Sequence, residues 1–194
     1  MSGKGETGET AQEGFRTIIL AAGRGKRMKS DLAKVLHLVG GVPMLTHPIA
    51  AARAAGSRGI VVVIGHQAER IRELFGKDDL TFVEQRDQLG TGHAVLQARE
   101  VFRDYDGTIV ILCGDVPLIL PETVRALHDR HRSEGAAVTV LTTVLAEPAG
   151  YGRVVKAGDG RVLRIVEDKD ATPEERQIRE INTGIYCVEG RFLF

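Results

Sequence analysis

Thr17-Ile-Ile-Leu-Ala-Ala-Gly-Arg-Gly-Lys-Arg-Met28 decides the reading of this chain. A short apolar strand runs into two glycines and a knot of cations, and Lys34 follows six residues later. Glycine carries no Cβ, so a loop built on it can wrap closely around phosphate oxygens and offer its own N–H groups. Arg24, Lys26, Arg27, Lys29 and Lys34 supply countercharge, with Asp31 the only acid among them. The spacing fits neither common glycine loop. A P-loop needs Gly-x4-Gly-Lys-Ser/Thr, and a dinucleotide loop needs a third glycine three residues after Gly25; both patterns run into Met28. The segment reads as a phosphate-binding loop of neither type, or else as a solvated basic turn between a strand and a helix.

Outward from this stretch, apolar runs of strand length recur at residues 17–21, 60–64, 80–84, 108–113 and 136–145. Helical patterns fall between them at 45–55, 67–75, 91–102 and 122–134. Alternation of buried strands with helices predicts an α/β fold: a Rossmann-like, mostly parallel sheet with helices on both faces. Ligands of such sheets sit beyond the carboxyl ends of the strands. The glycine loop leaves the first strand there and Gly114-Asp115 leaves the fourth, so one crevice should receive both. After Leu145 the rhythm changes. Residues 151–156 and 162–167 around Gly158-Asp159-Gly160 read as a β-hairpin, 171–180 as a charged helix with Thr172 as cap and Pro173 at its first position, and 181–188 as a further strand. Pro48 places the start of the first helix near it, or a kink.

The chain of 194 residues suits one domain or most of a larger one. Its 26 basic and 26 acidic residues balance, which argues against nucleic acid or a membrane surface as partner. The positive charge is local and fits a small anion. No aromatic pairs flank the basic loop, so a stacking platform for single strands is missing. Cys113 and Cys187 end apolar runs and read as buried thiols of a reducing compartment, hence a cytoplasmic protein. No apolar run approaches the roughly 18 residues of a membrane helix. Residues 1–14 are polar and glycine-rich, unlike a secretory signal, and read as a disordered lead-in. Asp115, a lone carboxylate after a buried strand, suits a hard cation held partly by substrate phosphates, with a turn or capping aspartate as the alternative.

The pattern Leu-Ala-Ala-Gly-x-Gly-x-Arg-Met, with Lys34 in Ala33-Lys34-Val35-Leu36, resembles the signature of the sugar-nucleotide pyrophosphorylases, a family of nucleotidyltransferases. Gln85-Arg-Asp-Gln-Leu-Gly-Thr-Gly-His-Ala94, Gly114-Asp-Val-Pro-Leu118, Tyr151-Gly-Arg153, Val166-Glu-Asp-Lys-Asp-Ala-Thr172 and Glu180-Ile-Asn-Thr-Gly184 follow in that family's order. Together they are similar to the uridylyltransferase half of the bacterial bifunctional N-acetylglucosamine-1-phosphate uridylyltransferases/glucosamine-1-phosphate N-acetyltransferases, from about Arg16 to the last residue. The resemblance implies magnesium-dependent transfer of uridylyl from UTP to N-acetylglucosamine 1-phosphate, giving UDP-N-acetylglucosamine, a cell-wall precursor, and pyrophosphate.

It also implies roles. Leu20, Ala21, Ala22 and Gly23 wrap the nucleotide, Arg27 meets the triphosphate, and Lys34 lies near the α-phosphate. Taken alone, Lys34 could be a surface lysine. Gln85, Gly90 and Thr91 belong to the base-reading block; Asp115 holds Mg2+; Gly152, Glu167 and Asn182 bind the sugar, in a β-hairpin insertion. An attacking phosphate needs no base, so His93 reads as structural, and the other histidines have no metal-ligand spacing. Relatives continue past the equivalent of Phe194. They add a second metal ligand, part of the sugar pocket, and a β-helix domain that carries the acetyltransferase and through which they assemble. On this reading residues 15–194 are a nucleotidyltransferase domain incomplete at its C-terminal end, with apolar surface uncovered near Ile185 and Phe192. Three alternatives stay open: another base, another sugar, or a nucleotide-binding module without turnover.

Overall fold

The computed structural model describes residues 14–25 and 28–194. In chain order its elements are β1 (Phe15–Leu20), a 3-10 turn at Lys34–Leu36, the small hairpin β2 (Leu38–Val39) and β3 (Val42–Pro43), α1 (Thr46–Ala55), β4 (Ile60–Ile64), α2 (Ala68–Phe75), β5 (Thr81–Glu84) and α3 (Thr91–Leu96). Then come a 3-10 turn at Arg99–Phe102, β6 (Thr108–Cys113), α4 (Pro121–Glu134), β7 (Val138–Val144), β8 (Arg153–Lys156), β9 (Val162–Val166), α5 (Pro173–Arg176), β10 (Glu180–Glu189) and α6 (Gly190–Leu193). Residues 1–13 of the lead-in, and Arg27 with its neighbour Lys26, lie outside the described residues.

All five residues of β4 are buried, and its Ile-Val-Val-Val-Ile run is what a strand covered on both faces requires. Successive side chains of a strand point to opposite faces. Ile19, Val62 and Leu112 therefore pack with Ile49, Ile71, Val124 and Leu127 of the helices on one side. Ile18, Val61, Val63 and Ile111 pack with Ala94, Val95 and Phe102 on the other. The chemistry of helix ends follows the sequence. Gly56 and Gly135 close α1 and α4 in left-handed backbone, Pro121 opens α4, and Thr172 with Glu175 forms a capping box on α5.

The strand order is β5-β4-β1-β6-β10-β8-β9, with β7 also paired to β10. From β5 to β6 the strands are parallel; β10 then runs antiparallel to β6. This long strand serves two neighbourhoods. Its second half pairs with β6 (Tyr186 opposite Ile111) and its first half with β8 (Ile181 opposite Arg153), while β7 lines its other edge. The hairpin β8–β9 extends the sheet as expected. Among the described residues no helix is long and apolar enough to cross a membrane.

Three expectations change. The helix read over 91–102 breaks at Gln97, whose side-chain amide donates to His93 O at 3.0 Å. The backbone N–H of Gln97 bonds Ala94 O, three residues back, and the ladder tightens there. The helix read over 171–180 stops at Arg176, because Glu180 is drawn into pairing with Val144 and bonded by Thr142 and Lys156. Ile185 is buried, at 2% exposure, under the helices of the first cluster; Phe192 is 59% exposed as expected.

Candidate active site

The carboxyl end of β1 is held between its neighbours by Ala21 N–H to Val63 O (2.8 Å) and Gly114 N–H to Leu20 O (2.9 Å). Small residues make that crossing possible: a Cβ on Gly114 would lie 3.0 Å from Leu20 O and 3.2 Å from the Ala21 Cβ. The chain then opens into the glycine loop, where Gly23 and Gly25 play different parts. A Cβ on Gly23 would meet nothing within 4 Å, whereas Gly25 has φ +62° and its Cβ would lie 2.7 Å from the Lys34 Cβ. Gly25 lets the loop fold onto Lys34, and Met28 N–H to Gly25 O (2.8 Å) closes the turn. Gln67 clamps the far side of the loop. It accepts from Ala33 N–H and donates to Asp31 O, both at 2.9 Å, from a residue in left-handed backbone at φ 55°.

Lys34 Nζ forms an ion pair with Asp115 Oδ2, at side-chain exposures of 33% and 37%. The structure thus brings together the cation read for the α-phosphate and the carboxylate read for the metal. Beside them a cleft of about 280 Å³ is lined by Leu20, Ala22, Gly23, Gln85, Gln88, Gly90, Thr91 and Ala94. Ala21 does not line it; its side chain is buried in the core on the opposite face. Gln85 is 4% exposed and donates to Gly90 O at 3.0 Å, with its amide nitrogen 3.1 Å from His93 Nδ1. His93 Nε2 lies 3.2 Å from the Gln97 amide nitrogen that donates to His93 O, so the ring is packed between two side-chain amides of the fold. A larger cleft of about 440 Å³ lies at the other end of the sheet, around Thr108, His131 and Glu189, and contains none of these residues.

The residues read for the sugar converge as well. A Cβ placed on Gly152 would sit 3.5 Å from Glu167 Oε1 and 3.6 Å from the Asn182 Cβ, and Asn182 N–H donates to Gly152 O at 2.8 Å. Arg153, 2% exposed, fastens this corner. It donates to the Tyr151 carbonyl and to Asp168 Oδ1 (2.9 Å). The Gly150 N–H and then Arg153 hold the Asp168 carboxyl below the usual carboxylate range. The two halves meet at Cys113, whose thiol donates to Gly184 O at 3.4 Å and lies 3.1 Å from where a Gly184 Cβ would be. Burial, helped by Asp115 and opposed by Lys34, pushes that thiol up to about 11, so it is a packing and donor group rather than a nucleophile.

The MobA-like NTP transferase domain model matches residues 17–177, which takes in most of β1, the cleft, Asp115 and the hairpin. The chain belongs to the MobA-like NTP transferase family. Among this nucleotidyltransferase domain's curated relatives is the bifunctional protein GlmU of Geobacter metallireducens, 58% identical over 91% of this chain. Those of Geobacter sulfurreducens and Desulfotalea psychrophila are 54% and 50% identical over 94% and 91% of it. The chain spans 37%, 38% and 52% of the lengths of these three relatives. A crystal structure from Bacillus anthracis, described as a glucose-1-phosphate thymidylyltransferase with a sucrose, superposes with TM-score 0.77 at 20% identity, covering 92% of this chain and 73% of that one. That likeness shows the fold.

Four residues of the domain's site escaped the sequence reading. Gln88 donates to Ala22 O at 2.8 Å, tying the base-side loop to the glycine loop. Gln67, Arg153 and Cys113 act through carbonyls and buried partners that only the folded chain brings near. Gln88 and Arg153 stood inside quoted motifs, which was the one signal available.

Proposed function

We propose that this domain transfers a uridylyl group from UTP to N-acetylglucosamine 1-phosphate, releasing pyrophosphate and forming UDP-N-acetylglucosamine for cell-wall synthesis in the cytoplasm. The observation that carries the proposal is the convergence, at one end of the sheet, of the glycine loop, the Lys34–Asp115 pair and the Gly152–Glu167–Asn182 corner. A phosphate oxygen of the sugar 1-phosphate attacks the α-phosphorus in line, the bond to the pyrophosphate oxygen breaks, and no protein atom bonds covalently to substrate. Catalysis is then positioning and charge neutralisation. Lys34 exchanges Asp115 for phosphate oxygens when nucleotide enters. Arg27, by resemblance, adds a second cation on the triphosphate.

Magnesium is the cation this reading calls for. Asp115 would hold it, and the donor set fits. Among the described residues no group of three or more His, Cys, Asp or Glu side chains could form a protein cage. One carboxylate suits a hard ion that keeps waters and phosphate oxygens. When bound, the ion offsets the negative charge of the phosphates.

Gln85 supports a uracil base. Both N–H groups of its amide face partners in the fold, Gly90 O and His93 Nδ1, so the carbonyl oxygen is what remains to offer. That oxygen matches the N3–H of uracil and meets a lone pair on N3 of cytosine. The glycine at position 90, with φ +106°, lets the backbone turn next to the base. The test crosses UTP, dTTP, CTP and ATP against N-acetylglucosamine 1-phosphate and glucose 1-phosphate and follows pyrophosphate release. UTP with N-acetylglucosamine 1-phosphate should be the fastest pair. A faster thymidylyl reaction, or UTP binding without release under any pairing, would replace this reading.

A further inference from the structure

We propose that Tyr186 is a positioning residue for the sugar acceptor: with the backbone N–H of Gly184 it fixes the Asn182 carboxamide in one orientation, so that Asn182 can only donate to the ligand. The inference rests on the uridylyl-transfer reading and names how that site discriminates.

The geometry starts in β10. Its register against β7 shifts between Asn182 and Tyr186, and Gly184 within that irregularity has φ +78°. Only glycine adopts such backbone without strain. The turn it makes points the Gly184 N–H back at the Asn182 side chain, 3.0 Å from Oδ1. A backbone N–H can only donate, so the atom facing it must be the amide oxygen. Tyr186 OH donates to the same oxygen, also at 3.0 Å. Burial, with Cys113 and Glu167 nearby, raises the phenol above its ordinary range against the opposing bond to Asn182, so the hydroxyl keeps the proton it gives to that bond.

Asn182 Oδ1 is then filled, since a carbonyl oxygen has two lone pairs. Its Nδ2 has no partner among the described residues. Flipping the amide would set its NH2 against the Gly184 N–H, which can only donate, and leave that N–H without its acceptor, so the backbone disfavours the alternative that a free asparagine side chain would sample. Glu167 Oε1, beside the same Gly152 corner, is a carboxyl oxygen that can accept. The corner therefore offers a donor and an acceptor together. It fits a sugar whose acceptor oxygen, a ring hydroxyl or an acetamido carbonyl, lies next to a hydroxyl that can donate.

The test is Tyr186→Phe in this chain, which removes one oxygen and keeps the ring that packs on the second core cluster. KM for N-acetylglucosamine 1-phosphate should rise roughly 5- to 10-fold, the effect of one neutral hydrogen bond. Calorimetric UTP affinity should stay within about twofold, whereas a purely structural role would move UTP affinity and melting temperature with it. In an Asn182→Ala background the same substitution should add nothing, because its partner is gone. Unchanged KM in Tyr186→Phe, or an equal penalty with and without Asn182, overturns the proposal while leaving uridylyl transfer standing. A wild-type chain that binds UTP but accepts no sugar 1-phosphate overturns both.

Discussion

Gly25→Ala isolates the backbone that aims Lys34. The substitution meets two obstacles. Its φ of +62° is left-handed, which costs an L-residue roughly 1–2 kcal/mol. The added Cβ would also lie 2.7 Å from the Cβ of Lys34, where ordinary contact begins at 3.4 Å, so loop and lysine must part by at least about 0.7 Å. The crowded atom is the root of the lysine side chain, so a change of rotamer cannot relieve it. A displacement near 1 Å costs an aligned reaction ~10²-fold. Turnover with UTP and N-acetylglucosamine 1-phosphate should therefore fall ~10- to 10²-fold. Melting temperature should drop by only a few degrees, because the loop stands outside the core. Gly23→Ala is the control: nothing lies within 4 Å of its Cβ, so any loss there comes from crowding a bound phosphate and should appear in UTP affinity. The two variants, assayed by pyrophosphate release and calorimetric UTP titration, should split in this way. Wild-type turnover in Gly25→Ala would refute the idea that this turn sets the position of Lys34.

If Asp115 holds magnesium as proposed, Asp115→Asn should raise the midpoint of a magnesium titration of activity at least ~10-fold; a capping role would leave the midpoint in place. Gln85→Ala should lower the preference for UTP over CTP at least ~10-fold while changing the KM of the sugar 1-phosphate little, and equal losses for both nucleotides would remove Gln85 from base readout. Burial pushes the Cys187 thiol up to about 12, so the folded state keeps a proton that the unfolded chain gives up near pH 9. Stability from this group is complete below pH 9 and declines as pH rises toward 12, by up to ~1.4 kcal/mol per pH unit. Thermal melts of Cys187→Ala should show a shallower alkaline slope than wild type, and parallel slopes would deny the thiol that role.

What the sequence showed, and what it hid, divides by the range of the interaction. The glycine loop, Asp115 and the four parallel strands were legible because each is a local pattern: β-branched residues ending at small or acidic ones. The convergence of Gly152, Glu167 and Asn182 was legible only through family motifs. Outside them, Glu167 and Asn182 are polar residues at strand ends. The divided pairing of β10 was not legible, since its partners in β6 and β8 lie about 80 and 30 residues away in the chain and nothing in an alternating strand says which half meets which. Arg153 was hidden for a different reason. An arginine opening a strand reads as solvated, and this one is buried against a carbonyl and Asp168, with Nε left without a partner among the described residues. Gln67 and Gln88 escaped because amides that brace loop carbonyls leave no pattern along the chain.

The change of strand direction at β6 explains how one sheet can serve two polyanions. Parallel strands present their carboxyl ends, and with them backbone N–H groups and short loops, to the same edge, which suits a triphosphate. An added antiparallel strand brings its beginning to that edge instead. Because Tyr186 lies opposite Ile111, the strand's first residues come level with Cys113 and Asp115. A β-strand displays a side chain only every second residue, so close-set donors there need an irregularity. The shift around Gly184 supplies it: the bulge turns an N–H onto Asn182 and leaves room for Cys113 in the same step. The missing Cβ at Gly184 thus does two things at once. It permits the backbone that orients the Asn182 amide, and it leaves room for the Cys113 thiol, on which both Asp115 and Lys34 act.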